Sequence, residues 1–271
     1  MATVVKTEWL KIKNYPAFWW VFAITALTYP GINTLFLYAY HDIVKQKSAA
    51  GKVLKALMGN PFSLPEGWRT MAFFSSFFIY IPAIVVIMLI TNEYTYRTNK
   101  QNIIDGWSRK NFMTAKMIDV LLLSITVTLL FTITALIIGF ANTEGQTGRW
   151  RLTYYVGLFF LQTLCQLSIA FTVGMILRKA FIALAVFTFY SMIVEEFAVN
   201  ILKYKYHNDI GRFFPMEVSD RLLTKPIFIA KIDEVAYQHS LDEVKYQLIY
   251  SICLLVLTWL FCFWLNNKRD L

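Results

Sequence analysis

The sequence predicts an all-α integral membrane protein with six transmembrane helices, and three observations carry that prediction. Hydrophobic residues fill 57% of the 271 positions and charged residues only 16%, against roughly 45–50% and about 25% in soluble domains. The surplus lies in uncharged runs that match the about 20 helical residues needed to cross a hydrocarbon core. These runs do not alternate as a β-barrel strand would. Ile81 to Ile90 and Leu121 to Leu123 are apolar at consecutive positions, so helices remain the way to span a bilayer.

The elements follow in chain order. In residues 1–16, Val4, Val5, Leu10 and Ile12 interleave with Lys6, Glu8, Lys11 and Lys13, and Trp9 can anchor at headgroups. This predicts an N-terminal amphipathic helix on the membrane surface, turning into the first span near Pro16. The first apolar run is too long for a signal peptide and lacks an A-x-A site. Asn14 to His41 holds no charge, so the first span covers about 17–40. Arg69 and Glu93 bound the second, at about 71–91. Asp119 and Glu144 bound the third, which starts near Ala115 and is expected at 115–141. The fourth covers 153–177, the fifth 180–200 and the sixth 246–265. Residues 201–245 are expected as a loop of short helices packed on the outer face. Residues 1–271 read as one membrane domain with no internal repeat.

Orientation comes from Lys and Arg near the helix ends. With the N-terminus inside, the inner segments are about 1–16, 92–116, 178–179 and 266–271, and basic residues are denser there than outside. Arg178-Lys179 and Lys268-Arg269 sit directly against helix ends. Lys45, Lys47, Lys52 and Lys55 fall on the outer side and oppose this bias. The net charge of +9 therefore suits anionic headgroups, not nucleic acid. Trp19, Trp20, Tyr94, Tyr154, Tyr155 and Trp264 lie where aromatic belts form. Cys165, Cys253 and Cys262 fall in apolar runs without a CxxC pair and read as small buried hydrophobes.

The segment between the second and third spans is the most informative. Glu93 lies at the inner end of a span. Ile103 and Ile104 can form one face of a short helix, Gly106 can end it in a left-handed conformation, and Ser108 can cap the next helix. Arg109 and Lys110 then fall at headgroup level. Residues 92–114 thus predict a helix, a tight turn and a return into the membrane.

This segment resembles the permease subunits of type-2 ABC transporters, and most closely the small six-helix permeases of the bacitracin- and lantibiotic-resistance kind. The resemblance rests on Glu93, Thr98 five residues on, the amphipathic stretch, Ser108-Arg109, and Lys116 seven residues after the arginine. Glu8-Trp9-Leu10-Lys11 is similar to their elbow helix. Many members carry Gly before the Thr, where this chain has Arg97. The resemblance implies a cytoplasmic coupling helix that docks on a separate ATPase subunit, with Glu93, Arg97, Thr98, Asn102, Ile103, Gly106, Ser108 and Arg109 as contact or turn residues. It implies an ABC ATP-binding subunit and a second permease as partners. It also implies an exporter in the bacterial cytoplasmic membrane with both termini inside.

Other chemistries fit less well. A P-loop would need Gly at 46 and Ser or Thr at 53, but Gln46 and Val53 flank Gly51-Lys52. No cofactor is expected in this chain, so ATP and magnesium would belong to the partner. Glu195-Glu196 suggests an intramembrane protease, yet position 200 is Asn. The histidines His41, His207 and His239 all fall in outer segments, so metal hydrolysis lacks ligands. The two glutamates are expected at an outer gate or an interfacial turn. Asp119 and Lys116 read as an i, i+3 pair, and the helix interiors offer no further carboxylates for an ion-coupled carrier. A membrane scaffold recruiting cytosolic proteins, or such a carrier, are the alternatives to a permease.

Overall fold

A computed structural model describes residues 13–14, 16–45, 59–104, 106–143, 145, 148–227 and 234–268. The expected surface helix at 1–16 lies almost wholly outside the described residues, as does the segment holding Gly51-Lys52. The described residues are α-helical with short 3₁₀ and π turns and contain no strand. Five helices are long and apolar enough to cross a membrane, and a bent helix pair makes a sixth span. The chain is an all-α multi-pass membrane protein.

Helix α1 (Pro16–Lys45) is the first span. Pro16 stands at its first position, where a missing N–H costs nothing. The second span is not the continuous helix expected at 71–91. It is α2 (Glu66–Ser76) followed by α3 (Tyr80–Thr95), bent by 48°. The cause is local. Pro82 has no N–H to give the Phe78 carbonyl four residues back. Ile81 N–H takes that carbonyl instead at 3.1 Å, and Phe78 and Ile79 close similar tight turns on Ser75 and Ser76. The chain therefore turns in three-residue steps between the two helices.

A short helix α4 (Thr98–Ile104) leads into α5 (Arg109–Ala141), the third span. Helix α5 begins six residues before the expected start at 115, because Ser108 caps it there. The fourth span is α6 (Tyr154–Leu177). The fifth comprises α7 (Ala180–Phe189), a π turn (Tyr190–Val194) and α8 (Glu195–Lys205). A 3₁₀ turn (Ile210–Phe213) and helix α9 (Pro215–Asp220) precede α10 (Glu234–Lys268), the sixth span. Helices thus extend well into the loop expected at 201–245.

Helix α6 is the axis of the bundle, with 56% of its most apolar window buried, against 17% for α1 and 22% for α10. Phe159 packs under Phe131 of α5 and edge-on to Tyr29 of α1. Phe171 stacks on Trp259 of α10, whose indole N–H donates to Ser168 at 3.0 Å. Hydroxyls inside the spans return to the carbonyl four residues back, as Thr91, Ser124, Thr128 and Thr172 do, which satisfies them where water is absent. Cys165 and Cys262 are buried as expected, but Cys253 is exposed on the outward side of α10.

Helix α6 approaches α3 closely at Gly174. A Cβ there would stand 2.6 Å from Ile90 Cγ2 and 3.5 Å from Ile87 Cα. Ile90 is β-branched and cannot swing away freely in a helix. Gly174→Ala is expected to destabilise the bundle by about 1–3 kcal/mol, measured as a lowered midpoint of thermal unfolding in detergent. An unchanged midpoint would mean that the two helices separate without cost.

Candidate functional site

The segment between the second and third spans is built on a buried ion pair. Glu93, in the last turn of α3, and Lys116, in the second turn of α5, are 4% exposed each. Lys116 Nζ lies 2.8 Å from Glu93 Oε1 and 3.6 Å from Asp119 Oδ2. The other Glu93 oxygen accepts from the Thr98 hydroxyl at the start of α4. One carboxylate thus joins three helices. The sequence paired Lys116 with Asp119. That contact exists, but Glu93 is the closer partner.

Between Glu93 and Thr98 the chain must turn sharply. Arg97 makes the turn with φ of 57°, the left-handed conformation that glycine takes without strain and other residues rarely do. Helix α4 then runs for seven residues and stops at Gly106, with φ of 94°. Gly106 N–H donates to Ile103 O at 3.0 Å and Trp107 N–H to Asn102 O at 2.9 Å. These two bonds are a Schellman closure. Ser108 follows in extended conformation, and its hydroxyl accepts from Asn111 N–H at 3.1 Å, as an N-cap does.

Arg109 is clasped to the far end of the chain. Its guanidinium donates to the carbonyls of Asn266 and Asn267 at 3.1 and 2.9 Å. Asn266 Nδ2 donates back to Arg109 O at 3.1 Å. The cation thus meets the last carbonyls of α10, the negative end of that helix. On the other flank, Arg178 ends α6 in a left-handed conformation and lies 4.8 Å over the Tyr94 ring. The starts or ends of four spans are tied together at this one end of the bundle.

Helix α4 has a held back and an open front. Asn99 is buried, and Thr98, Asn102 and Ile103 are half-buried. Tyr96 and Ile104 are 73% and 78% exposed, and Arg97, Lys100, Gln101 and Gly106 are open beside them. Of the two apolar residues expected on one face, Ile103 is half-buried and Ile104 is exposed.

At the opposite end, Glu195 and Glu196 part company, as neighbours 100° apart on a helix must. Glu196 is exposed. Glu195 is 3% exposed and accepts from Met216 N–H at 2.8 Å and Glu217 N–H at 2.7 Å, so it caps α9. Among the described residues no cluster of His, Cys, Asp and Glu is arranged to hold a metal ion.

The family model of the ABC-2 family transporter proteins matches residues 4–194, which covers all of the first four spans and the segment just described. The chain belongs to the ABC-2 transporter family. No curated protein matches it. ABC-2 proteins are the membrane components of ABC transporters, so this chain is a permease subunit that works with an ABC ATP-binding subunit.

Two substitutions test the ABC-2 segment's architecture. Lys116→Met leaves Glu93 buried without its cation and is expected to cost about 3–5 kcal/mol, with much of it recovered in the Glu93→Gln, Lys116→Met pair. Arg97→Gly removes left-handed strain and is expected to stabilise by about 1 kcal/mol or less. Both are read from thermal unfolding in detergent. A double-mutant cost equal to the sum of the Lys116→Met and Glu93→Gln single-mutant costs would show that the ion pair is not one unit.

Proposed function

We propose that this permease is one half of an ABC exporter in the bacterial cytoplasmic membrane, driven through α4 by a separate ATPase subunit. The end carrying α4 and Arg178-Lys179 faces the cytoplasm, as do both termini. The observation that carries this reading is the pairing of an exposed front on α4 (Tyr96, Lys100, Ile104) with a back fixed by Glu93 to two spans. A surface braced in this way passes a displacement on to the helices behind it.

Glu93, Thr98, Asn102, Gly106 and Ser108 hold the shape of the coupling element. Arg97 and Ile103 set which side chains reach the ATPase, and Arg109 carries the movement to α10. ATP and magnesium sit in the ATPase, and this chain needs no cofactor. Closure of two ATPase subunits would shift the paired permeases between inward- and outward-open states through differential contacts. The second permease, identical or related, would cover the exposed apolar sides of α1 and the fifth span, where Leu27, Phe181, Phe189 and Phe197 stand open. Glu195 and Glu196 would stand at the outer gate of the route between them. The apolar route suits a small amphiphile, peptide or lipid-like solute, in keeping with the resemblance to antibiotic-resistance permeases.

Co-purification in mild detergent tests the reading. A Walker-containing protein is expected to accompany the wild-type chain. Ile104→Asp is expected to weaken that association about tenfold or more, as loss of a central apolar anchor does, with membrane insertion unchanged. Glu93→Gln is expected to leave ATP hydrolysis running without transport. If no ATPase accompanies the chain, or transport survives both changes, the proposal fails.

A further inference from the structure

The opposite end of the bundle holds a carboxyl group that neither the family match nor the coupling segment accounts for. Asp220, the last residue of α9, is set against the middle of the fourth span. Its Oδ1 accepts from Gln162 Nε2 at 2.7 Å and from Gln166 Nε2 at 2.6 Å. These glutamines stand about 12 and 18 Å along α6 from its start, at 1.5 Å per residue. Ser251 of α10 donates to Val218 O at 3.2 Å, and the Tyr155 hydroxyl of α6 meets Thr224 Oγ1 at 2.6 Å. With Glu195 capping its start, α9 is a wedge pinned by side chains of three spans.

No cation faces Asp220 among the described residues. On its own segment, Arg221 is taken by Glu217 at 2.6 Å and by both Asp209 oxygens at 2.7 Å. In the preceding turn, Arg212 pairs with Glu243 of α10 at 2.8 Å. The charges that act on Asp220 are Glu217 of its own helix and, from the fifth span, Glu195. Tyr80 of α3 also lies within electrostatic reach. Helix α6 offers only the two amides and, further off, Tyr155, beside which Arg69 of α2 lies. Helix α10 offers Gln247, which donates to Arg212 O, and Ser251.

A second observation bears on the same place. Gln162 is 1% exposed, and its Oε1 has no hydrogen-bond donor. The carboxyl bonded to the same amide group is its neighbour. A neutral Asp220 can donate its O–H to that oxygen while accepting from the amide N–H, the two-bond pairing of an acid with an amide. A buried acceptor left unmet costs about 1–3 kcal/mol, so the orphan oxygen favours the protonated acid.

We propose that Asp220 is a proton-binding site that latches α9 into the bundle. When bound, the proton sits on the carboxyl and is shared with Gln162 Oε1. On release it passes to water, Gln162 Oε1 loses its donor, and a carboxylate is left facing Glu195 and Glu217. The segment then docks less tightly. Burial, reinforced by Glu217 and Glu195 and opposed by the two amides, pushes the Asp220 carboxyl up to about 7, against about 3.9 in water. The docked state therefore binds more protons between those values. Docking is strongest in acid, weakens as pH rises towards 7, and levels off above it.

The test uses the full-length protein in nanodiscs, with Met216→Cys as the only cysteine and a membrane-impermeant maleimide. Each labelling rate is divided by that of the same cysteine in an Asp220→Asn chain, since asparagine keeps the neutral pairing at every pH. The ratio is expected to rise by up to about tenfold per pH unit between pH 5 and 7 and then flatten. Hydrogen exchange of the Met216 and Glu217 amides in the unsubstituted protein supplies a check that needs no variant. Their protection, corrected for intrinsic rates, is expected to fall over the same range. A flat labelling ratio, or protection independent of pH, would overturn the proposal.

Discussion

Inside a hydrocarbon layer a polar group has no water to bond, and each one left alone costs several kcal/mol. This chain carries many such groups within its spans, and the way they are satisfied orders the structure. Most hydroxyls fold back on their own helix and leave the outside of each span apolar. The groups that cannot do so reach across: Asn33 to Ser75, Trp259 to Ser168, Glu93 to Lys116 and Gln162 to Asp220. Each of these contacts fixes one helix against another, and together they set the register of the bundle. The hydrophobic effect alone would not, because lipid tails are as apolar as the residues between the helices.

Glu93 shows how far one such contact extends. A buried ion pair is a poor source of net stability, yet this one sets geometry. The carboxylate binds the end of α3, the start of α4 and the second turn of α5, and so leaves only four residues to turn the chain. That constraint explains Arg97. The turn needs a positive φ, and the type-2 permeases that the segment resembles often place glycine there. Here an arginine accepts the strain and in return presents a cation on the open front of α4. The departure in sequence and the strained backbone coincide at one residue.

The six spans were legible because an uncharged run of about 20 residues has few other destinies. The turn residues were legible for the same kind of reason. Gly106 and Ser108 stand where a left-handed stop and an N-cap are needed, and the structure uses both that way. Contacts between distant parts of the chain were not. Lys116 has an acid three residues away, so sequence spacing points to Asp119. The closer carboxylate lies 23 residues back on another helix. Asn266 gave no sign that it would clasp Arg109, since an asparagine near a helix end suits water equally well. Pro82 could have announced the break in the second span. Gln162 and Gln166, one turn apart in an otherwise apolar run, could have announced a polar partner. Asp220 could not, because a loop acid followed by arginine reads as a surface pair. The sequence offered no carboxylate in the helix interiors, and the structure sets one from the segment between the fifth and sixth spans against two glutamines of the fourth.

The two ends of the bundle therefore differ in kind. At the end that carries α4 the buried acid is matched by a lysine, and the pair acts as a fixed joint. At the opposite end, Arg221 and Arg212 are spent on other carboxylates, and Asp220 meets only neutral amides. An acid held in that way has one means of losing its charge, which is to take a proton. A rigid joint suits an end that, on the proposed mechanism, would receive force from another subunit. A contact whose strength depends on an exchangeable ligand suits an end that, on the proposed mechanism, would open and close a path. The same rule, that no polar group stays unmatched in the bilayer, yields a permanent joint where a cation is supplied and a releasable one where it is withheld.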